Sequence, residues 1–289
     1  MRRPMTDERQ PPSRSIRRIM VALDASPHSL AALESAADLA AAFKAELRGL
    51  FVEDINLIRM SDLSVAREVR SFTQPAQSLN ERRLSLQLKR QAERAEQALK
   101  SIAQRMQVES SFEVTRGAVT RSLLDAAQDV DLITLGKTSQ SWSSRRKLGS
   151  TARALLSEAT RPVLVLSKVL RPDQPIIVYY DGSDAAESAL KFAASLAYRS
   201  DRGSLTVLLP TDDSDETQRL HDEVVERFAH TVAPLRVRPL TPLEATRLAA
   251  ATHAEGNGLV VLPAGCPPLC DIDLQQFLYE VDSPVLIAR

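Results

Sequence analysis

Short apolar runs alternate with longer amphipathic stretches from residue 16 to the end of the chain. Residues 16–23 (IRRIMVAL) read as a strand, and Asp24-Ala25-Ser26-Pro27 follows it. Ser26 suits a helix N-cap and Pro27 the first helical position. The hydroxyl accepts an orphan N–H there, and proline's missing donor costs nothing. Leu30, Leu33, Ala37, Ala40 and Ala41 then recur at helical spacing to about Lys44. Residues 47–52 (LRGLFV) form a second strand. Further strands are predicted near 111–115, 132–135 and 163–166. Helices are predicted near 79–106, near 119–128, and from Gly149-Ser150 towards Arg161-Pro162. Along the long helix, Leu88, Ala92, Ala95, Leu99, Ile102 and Met106 step by four and three. The heptads are too few for a coiled coil, so this stripe reads as a helix lying on a sheet. Residues 53–76 are extra sequence, expected to form a short helix or a lid.

The pattern then starts again. IMVALDAS at 19–26 faces IIVYYDGS at 176–183, with Asp24 opposite Asp181, Ser26 opposite Ser183 and Leu33 opposite Leu190. RPVLVL at 161–166 faces SPVLIA at 283–288. The repeat is too long for a solenoid and reads as two homologous domains. Strands of the second copy are predicted near 176–180, 205–209, 236–240, 259–262 and 285–288. The expected organisation is a disordered tail (1–15), a first domain (16–168), a linker (169–175, containing two prolines) and a second domain (176–289). Strands alternating with helices imply a parallel sheet covered on both faces. The fold class is therefore α/β: two tandem doubly wound domains, each a five-stranded parallel sheet. Ligands of such folds bind at the carboxyl ends of the strands.

Charge narrows the functional classes. Lys plus Arg and Asp plus Glu number 37 each, so no basic field supports a nucleic-acid partner. At 4% aromatic residues, stacking platforms for single strands are also disfavoured. No apolar run is long enough for a membrane span, and the polar, Pro-rich start has no signal-peptide core. The reading is a cytoplasmic protein. Cys266 and Cys270, spaced C-x3-C, fall short of a zinc ligand set and read as two free thiols.

The chemistry concentrates in LITLGKTSQSWSSRRKLGSTARALLSEATRPVLVL, residues 132–166. An apolar strand opens into a polar loop, and a helix begins at Gly149-Ser150. Free N–H groups and the helix dipole at such a point favour an anion. Arg145, Arg146 and Lys147 stand just before it. Taken alone, the stretch fits an anion site or a solvated loop with ordinary turn glycines. Gly136-Lys137-Thr138 ends like a P-loop, but the glycine that motif needs five positions earlier is Asp131, so Thr138 is not read as a Mg²⁺ ligand.

The spacing resembles that of the universal stress protein family, whose ATP-binding members carry G-x2-G-x9-G-[S/T] in this place. Gly136, Ser139, Gly149 and Ser150 occupy its four positions, and the Asp-x-Ser and R-P-V-L-V-L flanks agree. The resemblance implies a Rossmann-like fold of the adenine nucleotide alpha hydrolase type. It implies a site made of Ala22, Asp24, Ser26, Val52, Gly136, Lys137, Ser139, Gly149, Ser150 and Thr151. Asp24 and Val52 would meet adenine, Gly136, Lys137 and Ser139 would line the ribose and phosphates, and Gly149 to Thr151 would give N–H and hydroxyl groups to phosphate. Serine at 139, where the family has glycine, restricts the turn available there. Expected partners are ATP in the first domain only, with Mg²⁺ left open, and an unidentified protein.

In the second copy Gly149 faces Asp271 and Ser150 faces Ile272, and the loop is shorter and holds two prolines, which lack donors. That copy is expected not to bind ATP, and to pair with the first domain edge strand to edge strand. Whether two chains assemble further is left open. No catalytic residue is assigned: His28, His221, His230 and His253 show no metal spacing and sit beside no nucleophile, and slow ATP hydrolysis is the most chemistry expected. The reading is a stress sensor or regulator that binds nucleotide, with an interaction protein whose two sites have decayed as the alternative.

Overall fold

Residues 18–23 form β1, with Ile19, Met20 and Val21 fully buried, so this strand is covered on both faces as expected for the middle of a parallel sheet. The computed structural model describes residues 16–61, 67–68, 77–78, 81–137, 148–171, 173–199, 204–210, 213–230, 232, 234–240, 244–265 and 271–289. The expected tail, Thr138, Ser139, Arg145, Arg146, Lys147, Cys266 and Cys270 lie outside them.

From β1 the chain enters α1 (Pro27–Phe43), β2 (Glu46–Asp54) and a short α2 (Ile55–Ser61). A two-residue ribbon follows, β3 (Arg67–Glu68) and β4 (Gln77–Ser78). Next come α3 (Glu81–Met106), β5 (Ser110–Gly117), α4 (Val119–Ala126), β6 (Leu132–Gly136), α5 (Ser150–Glu158) and β7 (Val163–Leu166). The extra segment thus holds both a short helix and a ribbon. Leu88, Ala92, Ala95 and Leu99 of α3 are buried, and α3 packs on α1, β2 and β5, which is the sheet-packing reading of that stripe.

The second half repeats the plan with β8 (Ile176–Tyr179), α6 (Asp184–Arg199), β9 (Leu205–Leu209), α7 (Ser214–Phe228), β10 (Leu235–Pro239), α8 (Ala245–Ala254), β11 (Leu259–Pro263), α9 (Asp271–Glu280) and β12 (Val285–Ala288). The strands run in the order β5-β2-β1-β6-β7-β12-β11-β8-β9-β10. Each half is a five-stranded parallel sheet of the same order. The halves meet where β7 and β12 pair antiparallel, Val165 with Val285, Leu164 with Leu286 and Val163 with Ile287. Two like edges facing across a two-fold axis must run antiparallel, and the outcome is one continuous ten-stranded sheet.

Helices reinforce the join. Phe43 of α1 stacks on Phe192 of α6 with centroids 6.1 Å apart, and the Arg199 guanidinium lies 4.8 Å over the Phe43 ring. Arg199 also donates to the Ala42 carbonyl at 2.8 Å. The segment expected to be a linker is tied to the fold: Leu170 is buried, and its N–H donates to the Ser35 hydroxyl at 2.8 Å.

One glycine is demanded by this packing. A Cβ at Gly258 would lie 1.7 Å from the Pro175 carbonyl oxygen, which accepts the Leu259 N–H at 3.0 Å. Gly258→Ala must push β8 and β11 apart at their start. The expected loss is about 3 kcal/mol, at the upper end of overpacking costs, read as a lower urea midpoint at unchanged slope.

Candidate functional site

The carboxyl ends of β1, β2 and β6 open onto a cavity of about 530 Å³. The first wall is the turn from β1 into α1. The Asp24 carboxylate accepts the Ser26 N–H at 2.9 Å, Ala25 takes a left-handed φ of 57°, and the Ser26 hydroxyl accepts the Ser29 N–H at 3.1 Å. Aspartate closes such a turn because its side chain reaches the main chain two residues on. Ala22, Asp24 and Ser26 all line the cavity, with Leu50, Phe51, Val52 and Asp54 of β2 beside them. The roof comes from the extra segment and the long helix: Leu57 of α2, and Leu84, Gln87, Leu88 and Gln91 of α3.

The opposite wall is the end of β6 and the start of α5: Gly136, Gly149, Ser150, Thr151 and Ala152. Gly136 has a packing reason, since a Cβ there would meet the main chain of His28 at 2.9 Å. Gly149 is the N-cap of α5 at φ −61°, ψ 150°, extended backbone open to any residue, and it brings no side chain to cap that end. The N–H of Gly149 itself donates to the Lys137 carbonyl at 3.1 Å. The N–H groups available to an anion therefore begin at Ser150, not at Gly149 as the sequence reading had it.

Lys137 is placed differently from expectation. Its side chain leaves the cavity and is buried, 8% exposed, with its ammonium donating to the Val281 carbonyl of the second half at 2.8 Å. Burial pushes its pKa down, Asp282 opposes that, and Lys168 adds to it. The described lining residues include two carboxylates, Asp24 and Asp54, and no lysine or arginine. Any cation facing the site from this loop must come from residues beyond Lys137, where Ser139 and the Arg145-Arg146-Lys147 run fall outside the described residues.

The second half keeps the turn but carries different residues at the strand ends. Asp181 accepts the Ser183 N–H at 3.0 Å, Gly182 stands at φ 80°, and the Ser183 hydroxyl accepts the Ala186 N–H at 3.2 Å. Ala22, however, faces Tyr179, which is 2% exposed. Leu50 pairs with Ala22 as Leu208 pairs with Tyr179, so Val52 corresponds to Pro210. Pro210 has no N–H to offer, and its carbonyl already accepts the Thr217 hydroxyl at 2.6 Å. These two replacements escaped the sequence reading, although the alignment of IMVALDAS with IIVYYDGS already sets tyrosine against alanine. The roof from α2 and α3 carried no such signal.

Comparison with known proteins fits this geometry. The chain belongs to the universal stress protein family, whose family model matches residues 15–167. Among solved structures it is similar to a universal stress protein from Archaeoglobus fulgidus at 16% identity and TM-score 0.70, covering 94% of this chain and 96% of that one. It is similar to a putative universal stress protein from Pseudomonas aeruginosa at 14% identity and TM-score 0.59, covering 95% and 93%. The cytoplasmic domain of a prokaryotic cation chloride cotransporter follows at 12% and 0.54, covering 94% and 95%. At these identities the likeness shows the fold. A search of curated proteins finds no match. No described helix is long and apolar enough to cross a membrane.

Because Gly136 stands against the His28 backbone, its replacement tests packing apart from binding. Gly136→Ala is expected to cost about 1–3 kcal/mol of stability by overpacking, measured by urea denaturation without any ligand.

Proposed function

We propose that the first half binds one adenine nucleotide, ATP in the first instance, and that the protein acts as a nucleotide-dependent stress sensor or regulator in the cytoplasm. Domain limits of 16–168 and 176–289 go with this reading, the second domain serving as a paired partner that binds no nucleotide. The observation that carries it is the cavity. Ala22, Asp24, Ser26, Val52, Gly136, Gly149, Ser150 and Thr151 all line one concave space at the strands' carboxyl ends, where doubly wound folds take ligands. The apolar side chains of Ala22, Leu50 and Val52 suit a base, and the Asp24 carboxylate can accept from its amino or hydroxyl groups. The uncapped start of α5 suits phosphate. No residue is assigned to catalysis.

The alternative, an interaction protein with both sites decayed, draws on one observation: the Asp-x-Ser turn is equally well formed in both halves. That turn alone therefore says nothing of a ligand.

Isothermal titration separates the readings. One ATP–Mg²⁺ is expected per chain; no heat at millimolar ATP would sink the nucleotide reading. Ala22→Tyr, which imports the residue of the second half, is expected to abolish binding while the protein stays folded. Gly149→Asp should weaken it by setting like charges together. Asp24→Asn keeps an oxygen for the Ser26 N–H, so stability should hold within about 0.5 kcal/mol. Its affinity should fall by about 1–2 kcal/mol through the lost charged contact. Asp181→Asn, the same change in the second half, should alter neither.

A further inference from the structure

We propose that the second half positions the ligand-facing helix of the first: α5 is gripped at both ends by cations that cross the junction between the halves. At its N-terminal end the grip is Lys137. The ammonium of this residue donates to the Val281 carbonyl, 144 positions away and just past the end of α9. Its main chain is fixed at the same time, with its N–H on the Leu166 carbonyl at 2.7 Å and its carbonyl on the Gly149 N–H at 3.1 Å. One residue thus joins β7, the N-cap of α5 and the second half. At the other end of α5 the Arg289 guanidinium, following β12, donates to the Leu156 carbonyl.

Both acceptors share one chemistry. The last carbonyls of a helix lack intrahelical partners, and the dipole there favours a cation. Val281 follows the last residue of α9, and Leu156 sits in the last turn of α5. Each half therefore sends a cation into a helix end of the other. The turn that receives Lys137 is itself pinned: the Ser167 hydroxyl donates to the Asp282 carbonyl, and Lys168 pairs with the Asp282 carboxylate at 2.9 Å. Lysine and arginine rarely go fully under without a partner, because desolvation opposes it. Here Lys137 is 8% exposed, and the Arg289 Nε is buried with no hydrogen-bond partner among the described residues. A buried lysine and a partly buried arginine at these two places are accounted for by the hold they give on α5.

The consequence rests on the nucleotide reading. A ligand that orders Gly149 and Ser150 tightens the Lys137 backbone, and Lys137 passes this to the end of α9. The coupling is reciprocal, since linkage is symmetric for binding free energies. Lys137 is a positioning residue in this scheme and touches no ligand.

Hydrogen exchange by mass spectrometry on the full chain tests both parts. Without ligand, Lys137→Met, similar in volume but without the ammonium, should raise exchange about tenfold at 148–156 and 277–283 together, the scale of one lost charged hydrogen bond. Peptides from β8 and β9 should not change. Lys137→Arg should restore protection in both segments, and Arg289→Gln should loosen 153–158. A rise confined to the residues beside position 137, or a uniform rise across the chain, would overturn the grip. If Lys137→Met fails to fold, the Arg289→Gln result decides. With ATP–Mg²⁺, the wild-type chain should gain protection at 277–283 and Lys137→Met should not. ATP that binds without protecting 277–283 would overturn the coupling. A wild-type chain that binds no ATP by titration would remove the nucleotide reading and the coupling with it, while the ligand-free arm still decides the grip.

Discussion

The antiparallel pairing of β7 with β12 is the constraint on which the rest depends. Val163, Leu164, Val165, Val285, Leu286 and Ile287 are all buried to within a few per cent of complete. Each such side chain is worth about 1.5–3 kcal/mol against exposure. Without a partner, β7 would be a long-range liability, an apolar edge with a row of open N–H and C=O groups. Carrying both copies in one chain supplies that partner at a high effective concentration. It also places the two turns after β6 and before β12 side by side, which is why Lys137 can reach Val281 at all.

Duplication freed one copy to change. The second half kept what local folding needs: the Asp181–Ser183 turn, the left-handed residue between them, and the apolar strands. It changed what an open cavity needs. Tyr179 occupies the place of Ala22, and Pro210 removes a donor at the place of Val52. A large side chain buried at such a place gains packing that an open site gives up. Such an asymmetry fits a half whose work is to hold its neighbour, and the crossing contacts of Lys137 and Arg289 give it something to hold.

Much of this was legible in the chain. Strands 163–166, 205–209 and 285–288 fall where the apolar runs place them, because buried parallel strands read as near-continuous apolar runs. The edge-to-edge join followed from the family resemblance, and the β7–β12 pairing has that form. The ends of α1 and α3 were also readable, from Ser26-Pro27 and from the apolar stripe. Side-chain direction was not. Lys137 follows Gly136 in a motif that meets phosphate, and nothing in its spacing tells that its stem turns to the other half. The roof was hidden for the same reason: Leu84, Leu88 and Gln91 share a helical stripe that serves the core and the cavity at once. Within the loop, residues 138–147 carry the composition of a charged loop and no periodicity from which a path could be read.

The two described glycines of the loop motif separate structure from chemistry. Gly136 is fixed by a neighbour, the His28 backbone, and would be needed in an empty site. Gly149 stands in extended backbone that any residue can take, caps α5 with no side chain, and gives its own N–H to Lys137. Serine or aspartate would cap that helix better by only a few tenths of a kcal/mol, about 0.3. A glycine there brings no side-chain acceptor of its own to the next N–H groups. The Asp-x-Ser turn, formed alike in both halves, cannot argue for a ligand; the start of α5, lining a cavity at a place where the second half sets Tyr179 against Ala22, can.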